Sequence, residues 1–150
     1  MKKQSRKKIN IVSLQIVKES HQWYSKRQIQ SPDDAVEIAR QFLGNPDREH
    51  LIAICLSTKY EPTHIETVSI GSLDTTVAHP REMFKTAIMA NSAAIILVHN
   101  HPSGNPEPSD EDQQMAKRVQ ETGKLLGIQL LDCIILGDSS YISMKEVDLC

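Results

Sequence analysis

Two histidines two positions apart, a serine eight positions after the second, and an aspartate three further on are the residues of this chain best suited to chemistry. They stand in VHNHPSGNPEPSDED, Val98 to Asp112, as His99, His101, Ser109 and Asp112, the pattern H-x-H-x7-S-x-x-D. Two imidazoles and a carboxylate fill three corners of a tetrahedron and leave the fourth for water. That is the arrangement of a catalytic zinc site, because structural sites occupy all four corners with protein ligands. Zinc held this way brings the pKa of its water down to about 7 and polarises a carbonyl. The pattern therefore predicts one Zn2+ on His99, His101 and Asp112, with the Ser109 hydroxyl beside it.

The flanking sequence explains how these side chains would meet. AAIILV, Ala93 to Val98, is an apolar run too short for an ordinary buried helix and reads as a buried strand. On its extended continuation the residues at i and i+2 share a side, so His99 and His101 point together and Asn100 turns away. Pro102 keeps His101 extended by disfavouring its α region. The loop from Pro102 to Pro108 carries three prolines and one glycine, stiff turn chemistry that brings the chain back towards the imidazoles. Ser109 has the residue type of a helix N-cap, and Met115, Val119, Thr122 and Leu126 follow at helical spacing, which places Asp112 in the first turn. S-x-x-D is also a capping arrangement, and capping is compatible with ligation. Glu107, Asp110 and Glu111 read as a solvated negative patch favoured by the helix dipole. The adjacent letters H-N-H are a coincidence of spelling with the nucleases of that name.

At these residues the chain resembles the JAB/MPN metalloprotein superfamily with its JAMM zinc motif, and more closely the RadC-like branch. The resemblance runs from about Ser31 to Val147 and includes HPRE (His79 to Glu82), HNHPSG with PS and D at matching offsets, and LLGIQLLD (Leu125 to Asp132). It implies a three-layer α/β/α fold with a mixed sheet, of the cytidine deaminase-like kind. It also implies that the two His and the Asp hold zinc, that Ser109 steadies an oxyanion, and that an upstream glutamate is general acid and base. Glu49 and Glu66 are the candidates for that glutamate. Glu49 lies between a helix ending near Gly44 and the apolar segment Leu51 to Ser57, the position the superfamily uses, and is favoured. Glu66 lies in the alternating segment HIETVSIGS and reads as a solvated side chain. RadC-like chains usually continue LLDH where this one has Cys133 after Asp132, and Cys133 reads as a buried structural thiol.

Composition bounds the rest. The chain has 150 residues, 39% apolar and 24% charged, enough for one core and ordinary for a globular domain. Aromatics are only 4%, so no base-stacking platform for single-stranded nucleic acid is evident. No stretch approaches the ~20 apolar residues of a membrane span. Cys55, Cys133 and Cys150 are odd in number and lack C-x-x-C spacing, which predicts a reducing, cytoplasmic setting. Residues 1–30 hold eight Lys/Arg against one acid while 31–150 hold nine against eighteen, so the chain divides into a basic N-terminal arm and a RadC-like JAB/MPN domain over 31–150. The arm is the one candidate for weak nucleic-acid contact. Ile9 to Val17 alternates enough to predict an edge strand, and His21, Trp23 and Tyr24 form an aromatic cluster that covers the core or faces a partner.

The remaining pattern alternates helix and strand. Ser31-Pro32-Asp33-Asp34 starts a helix with a stripe of Ala35, Ile38, Ala39 and Phe42, stopped by Gly44 and Pro46. Strands follow near 51–57 and 64–70 about a KYEP turn. A helix runs from Pro80 to Asn91 with His79 beside its start as a non-ligand, and after the motif come strands at Ile128 to Leu136 and Tyr141 to Ser143. The leading functional expectation is a zinc metallohydrolase acting on a peptide or isopeptide bond of a peptide or protein substrate. The alternative is a DNA repair or DNA-processing accessory protein of the RadC-like type without peptidase activity. A nucleoside deaminase ranks last, because its H-x-E and P-C-x-x-C ligands are missing.

Overall fold

Five strands form one mixed sheet in the computed structural model, which describes residues 1–71 and 79–150. The order of elements is α1 (Pro32–Leu43), β1 (His50–Leu56), β2 (Pro62–Ile70), α2 (Pro80–Met89), β3 (Ala94–Asn100), α3 (Asp110–Leu126), β4 (Gln129–Leu136) and β5 (Tyr141–Ser143). Across the sheet the strands run β2-β1-β3-β4-β5; only the β3–β4 pair is parallel, and α3 makes the crossover between them. All seven residues of β3 are buried, as its unbroken apolar run predicts for a central strand covered on both faces. Burying a Leu or Ile contributes roughly 1.5–3 kcal/mol each, so β3 is a firmly held base for the histidines at its end.

Period-two alternation sorts the core into two clusters. Ile52, Ile54, Ile96, Val98 and Ile134 pack against Ala35, Val36, Ile38 and Ala39 of α1. Leu51, Ala53, Ile95, Leu97 and Ile135 pack against Met83 and Phe84 of α2 and Met115 and Val119 of α3. The result is three layers, α1 over one face and α2 with α3 over the other, the α/β architecture expected. The odd-numbered side chains of β3 face α3, so His99 shares a side with Ile95 and Leu97 and is aimed at the start of that helix.

The helix starts follow local chemistry. Ser31 precedes Pro32, and the Asp34 carboxylate accepts from the Gln30 and Ser31 amides at 2.8 and 3.2 Å, while Gly44 with φ 62° stops the helix. His79 caps α2, its Nδ1 accepting from the Arg81 amide at 3.2 Å.

Three expectations change. Residues 9–17 form no strand: Ile9, Ile11, Val12, Leu14 and Val17 are exposed and pair with nothing among the described residues. Adjacent apolar pairs, Ile11-Val12 and Ile16-Val17, break the alternation, and the following segment is tied to α1 through Gln22 on the Ile38 carbonyl and Lys26 on Asp34. His21 and Trp23 meet edge-on at 5.5 Å, but Trp23 is 81% exposed, so the cluster does not cover the core. Phe42 stays 39% exposed, and Val36 is buried in the α1 stripe instead.

Candidate metal centre

The parallel β3–β4 pair and the antiparallel β1–β3 pair bring three chain segments to one end of the sheet. Leu51 pairs with His99, and continuing that antiparallel register sets His50 opposite Asn100 and Glu49 opposite His101. The ligand-capable atoms of Glu49, His99 and His101 accordingly all lie within 4.8 Å of one another. From the third side comes Asp112 in the first turn of α3, with Oδ1 3.2 Å from His99 Nε2 and Oδ2 3.2 Å from His101 Nε2.

Ser109 is the N-cap, and the box is reciprocal: its hydroxyl oxygen accepts from the Asp112 amide at 3.1 Å, and Asp112 Oδ2 accepts from the Ser109 amide at 2.8 Å. The cap thereby aims the Asp112 carboxylate at the imidazoles. The Ser109 oxygen accepts from the Asp112 amide and the residue is exposed, so its hydroxyl stands at the rim of the cluster beside the Asp112 carboxylate. Burial by itself pushes the Asp112 carboxyl up, yet the contact and charge of His99 together with the Ser109 bonds outweigh it and hold the group at about 2. It is the carboxylate, the ligating form, throughout the neutral range.

The imidazoles are prepared differently. His101 Nδ1 lies 2.9 Å from the Asn105 carbonyl oxygen, which requires N–H at Nδ1 and leaves the Nε2 lone pair facing Asp112. The loop that carries Asn105 is pinned by His101 N on the Leu136 carbonyl, Gly104 N on the His101 carbonyl and Asp138 N on the Gly104 carbonyl. Gly104 has φ 86°, and a Cβ there would stand 2.4 Å from Asp138 Oδ2, so only glycine fits. His99 is fully buried, and neither of its ring nitrogens has a hydrogen-bond partner among the described residues. Its 3.2 Å approach to Asp112 is thus a contact without hydrogen-bond alignment. Orphaned buried nitrogens of this kind are rare.

These observations test whether the residues fit a metal. Four-coordinate ions with N and O ligands at about 2.0–2.2 Å hold neighbouring ligand atoms about 3.3 Å apart. Each Nε2 has one Asp112 oxygen at 3.2 Å, close to that spacing, His99 facing Oδ1 and His101 facing Oδ2. The unpartnered Nε2 of His99 is the donor such an ion would use. The residues fit.

Each residue singled out in the sequence can now be placed. His99, His101, Asp112 and Glu49 converge, and Ser109 stands at their edge. Glu66 does not join them: it pairs with Ala53 across β1–β2 and its carboxylate accepts from the Thr86 hydroxyl of α2, so it is half-buried and bonded instead of solvated. His79 serves as a cap. Cys133 is fully buried, and burial pushes its thiol well above the ordinary value, which leaves it neutral and inert. Sequence reasoning missed Asn105, whose carbonyl orients His101, and the side chain of Asn100. A backbone carbonyl carries no residue-type signal; the register that makes Asn100 matter is a long-range property.

A mixed sheet between helical layers, with a His-x-His strand end, a capped Asp and a neighbouring Glu, defines a JAB-type domain. The family model for RadC-like JAB domains matches residues 29–149, and the chain belongs to that family. It is 51% identical over 118 residues to a UPF0758 protein of Alkaliphilus metalliredigens, covering 79% of this chain and 51% of that one. A UPF0758 protein of Desulfitobacterium hafniense is 48% identical over 118 residues, 79% of this chain and 52% of the relative. One from Geobacillus thermodenitrificans is 44% identical over 138 residues, 91% and 61%. The chain spans about half the length of most of the curated relatives it matches. Among the described residues no helix is long and apolar enough to cross a membrane.

Proposed function

We propose that this domain is a zinc-dependent hydrolase that cleaves a peptide or isopeptide bond with a water molecule as nucleophile. The observation that carries the reading is the approach of Glu49 and of Asp112 to the same His99–His101 pair, in a cluster whose one fully buried imidazole has no hydrogen-bond partner among the described residues. Two imidazoles and a carboxylate with a fourth position left for water are the donor set of catalytic zinc sites. His99, His101 and Asp112 would hold it. When bound, the ion lowers the pKa of its water and polarises the scissile carbonyl.

The chain's own residues supply the rest. Glu49, beside the His99–His101 pair, takes a proton from the attacking water and returns it to the leaving amine. Ser109, held in place by the Asp112 amide on its oxygen, offers its O–H to the oxyanion that develops on the carbonyl. The His101–Asn105 bond holds the ring in one tautomer through both steps. The substrate class is an extended peptide or protein segment, and the setting is cytoplasmic.

The test is hydrolysis of peptide and isopeptide bonds by the zinc-loaded protein. Activity should disappear in Glu49→Gln, which keeps its fold and a full equivalent of zinc at saturating metal, and should persist in Glu66→Gln. If Glu66→Gln is the inactive variant and Glu49→Gln is not, the proton shuttle has been placed on the wrong strand.

A further inference from the structure

Asn100 sits between the two histidines and takes part in neither step above, yet it is buried and fully engaged. Its Oδ1 accepts from the His50 amide at 2.8 Å, and its Nδ2 donates to the Arg48 carbonyl at 3.0 Å. These are the backbone groups of the residues immediately before and after Glu49. The orientation of the amide is determined by its partners, since an N–H requires the oxygen and a C=O requires the nitrogen. The Glu49 carbonyl is held in turn by the Gly71 amide at 2.7 Å. Beyond Leu51 the β1–β3 ladder has run out of residues paired in register, so the side chain of Asn100 continues that ladder by one step and closes it around Glu49.

The geometry points to Asn100 as a positioning residue: we infer that it fixes the Glu49 carboxylate against the His99–His101 pair by clamping the peptide groups on both sides of Glu49. The inference rests on the metal-centre reading given above. No other residue type meets the need as well. Asp lacks the donor for the Arg48 carbonyl, Ser and Thr are too short to span both groups, and Leu matches the shape with no polar atom. Released from the clamp, residues 48–50 keep the Gly71 bond and the His50–Ile70 pairing on the β2 side but nothing on the β3 side, and the Glu49 carboxylate loses its set distance to the imidazoles. Outer-shell contacts of this kind typically contribute about 10–100-fold in metal affinity or activity. The lower end applies here, because Glu49 acts on the centre as a nearby negative charge.

The experiment is a double-mutant cycle read through Co2+ binding to the full chain, with the dissociation constant and the visible absorption of the bound ion as readouts. Wild type should bind one Co2+. Asn100→Ala and Glu49→Gln should each weaken binding by about tenfold and change the absorption in the same way. Asn100→Ala should add nothing once Glu49→Gln is present. Asn100→Leu, equal in shape and without either bond, repeats the cycle if the alanine variant does not fold. An Asn100 effect as large in the Glu49→Gln background as in wild type would show that it supports the fold or the histidines and not Glu49. No effect in either background would overturn the inference equally. Failure of wild type to bind Co2+ at all is a different result, which overturns the metal reading itself.

Discussion

Two aspartates are buried to the same degree and do opposite things. Asp112, at the start of α3, and Asp132, in β4, are 4% and 5% exposed. Asp132 is surrounded by donors: Oδ1 accepts from the Cys133 and Lys145 amides at 2.7 and 3.2 Å, and Oδ2 from the Ser143 hydroxyl at 2.6 Å. It ties β4 to β5 and the turn beyond. Burial still raises its pKa, the three bonds offsetting only part of the desolvation. Asp112 has one amide, that of Ser109, and otherwise faces imidazole nitrogens. A carboxylate enclosed by N–H and O–H groups is complete as a structural staple. One that faces two imidazole nitrogens belongs to a donor set suited to a cation, and that difference separates a structural staple from a candidate metal centre in the same domain.

Exchanging the two losses gives the largest expected contrast. Asp112→Ala should lower zinc affinity at least about a hundredfold, the loss of a direct ligand exceeding the range for outer-shell contacts, with a small stability cost from the broken cap. Asp132→Ala should leave zinc affinity unchanged and cost roughly 2–3 kcal/mol in urea unfolding, because it strands two buried donors, the Cys133 amide and the Ser143 hydroxyl, and a half-buried one, the Lys145 amide. Equal zinc loss in both variants would erase the distinction.

The pH dependence of stability sharpens it. The folded pKa of Asp132 lies above its ordinary value of 3.8. Its contribution to stability is therefore fully present below 3.8 and is lost as pH rises through the folded value. Wild type should show its greatest advantage over Asp132→Asn at the acid end of a urea-unfolding series, and the advantage should shrink towards neutral pH. An advantage that grows with pH would mean that the donors around Asp132 outweigh its desolvation.

The smallest effect concerns the N-terminal arm, which carries exposed positive charge and no described helix or strand. Any DNA binding should be weak, should fall steeply with salt, and should mostly vanish when residues 1–8 are deleted. Tight binding that survives both the deletion and physiological salt would favour the DNA-processing reading over the hydrolase.

Much of this arrangement was legible before any coordinates. The apolar run before His99, the proline after His101 and the Ser109–Asp112 spacing each encode a local backbone choice, and the strand, stiff loop and capped helix follow from them. Glu49 was favoured over Glu66 on its place between a helix and the apolar segment beginning at Leu51, the position the resemblance implies, with both kept as candidates. What local pattern could not show was pairing. Residues 9–17 alternate only in part, broken at Ile11-Val12 and Ile16-Val17, and remain unpaired among the described residues. The role of Asn100 depends on the β1–β3 register, which joins residues fifty positions apart. The Gly104–Asp138 contact depends on how the loop after His101 rests on the β4–β5 turn.

The most direct measurement is the zinc content of the protein prepared without chelators and reconstituted with the metal, beside the His99→Ala/His101→Ala double variant. One zinc per chain in the wild type and none in the variant, with added zinc binding only the wild type, is the predicted result. Zinc affinity that is the same in both proteins would contradict the assignment of the centre.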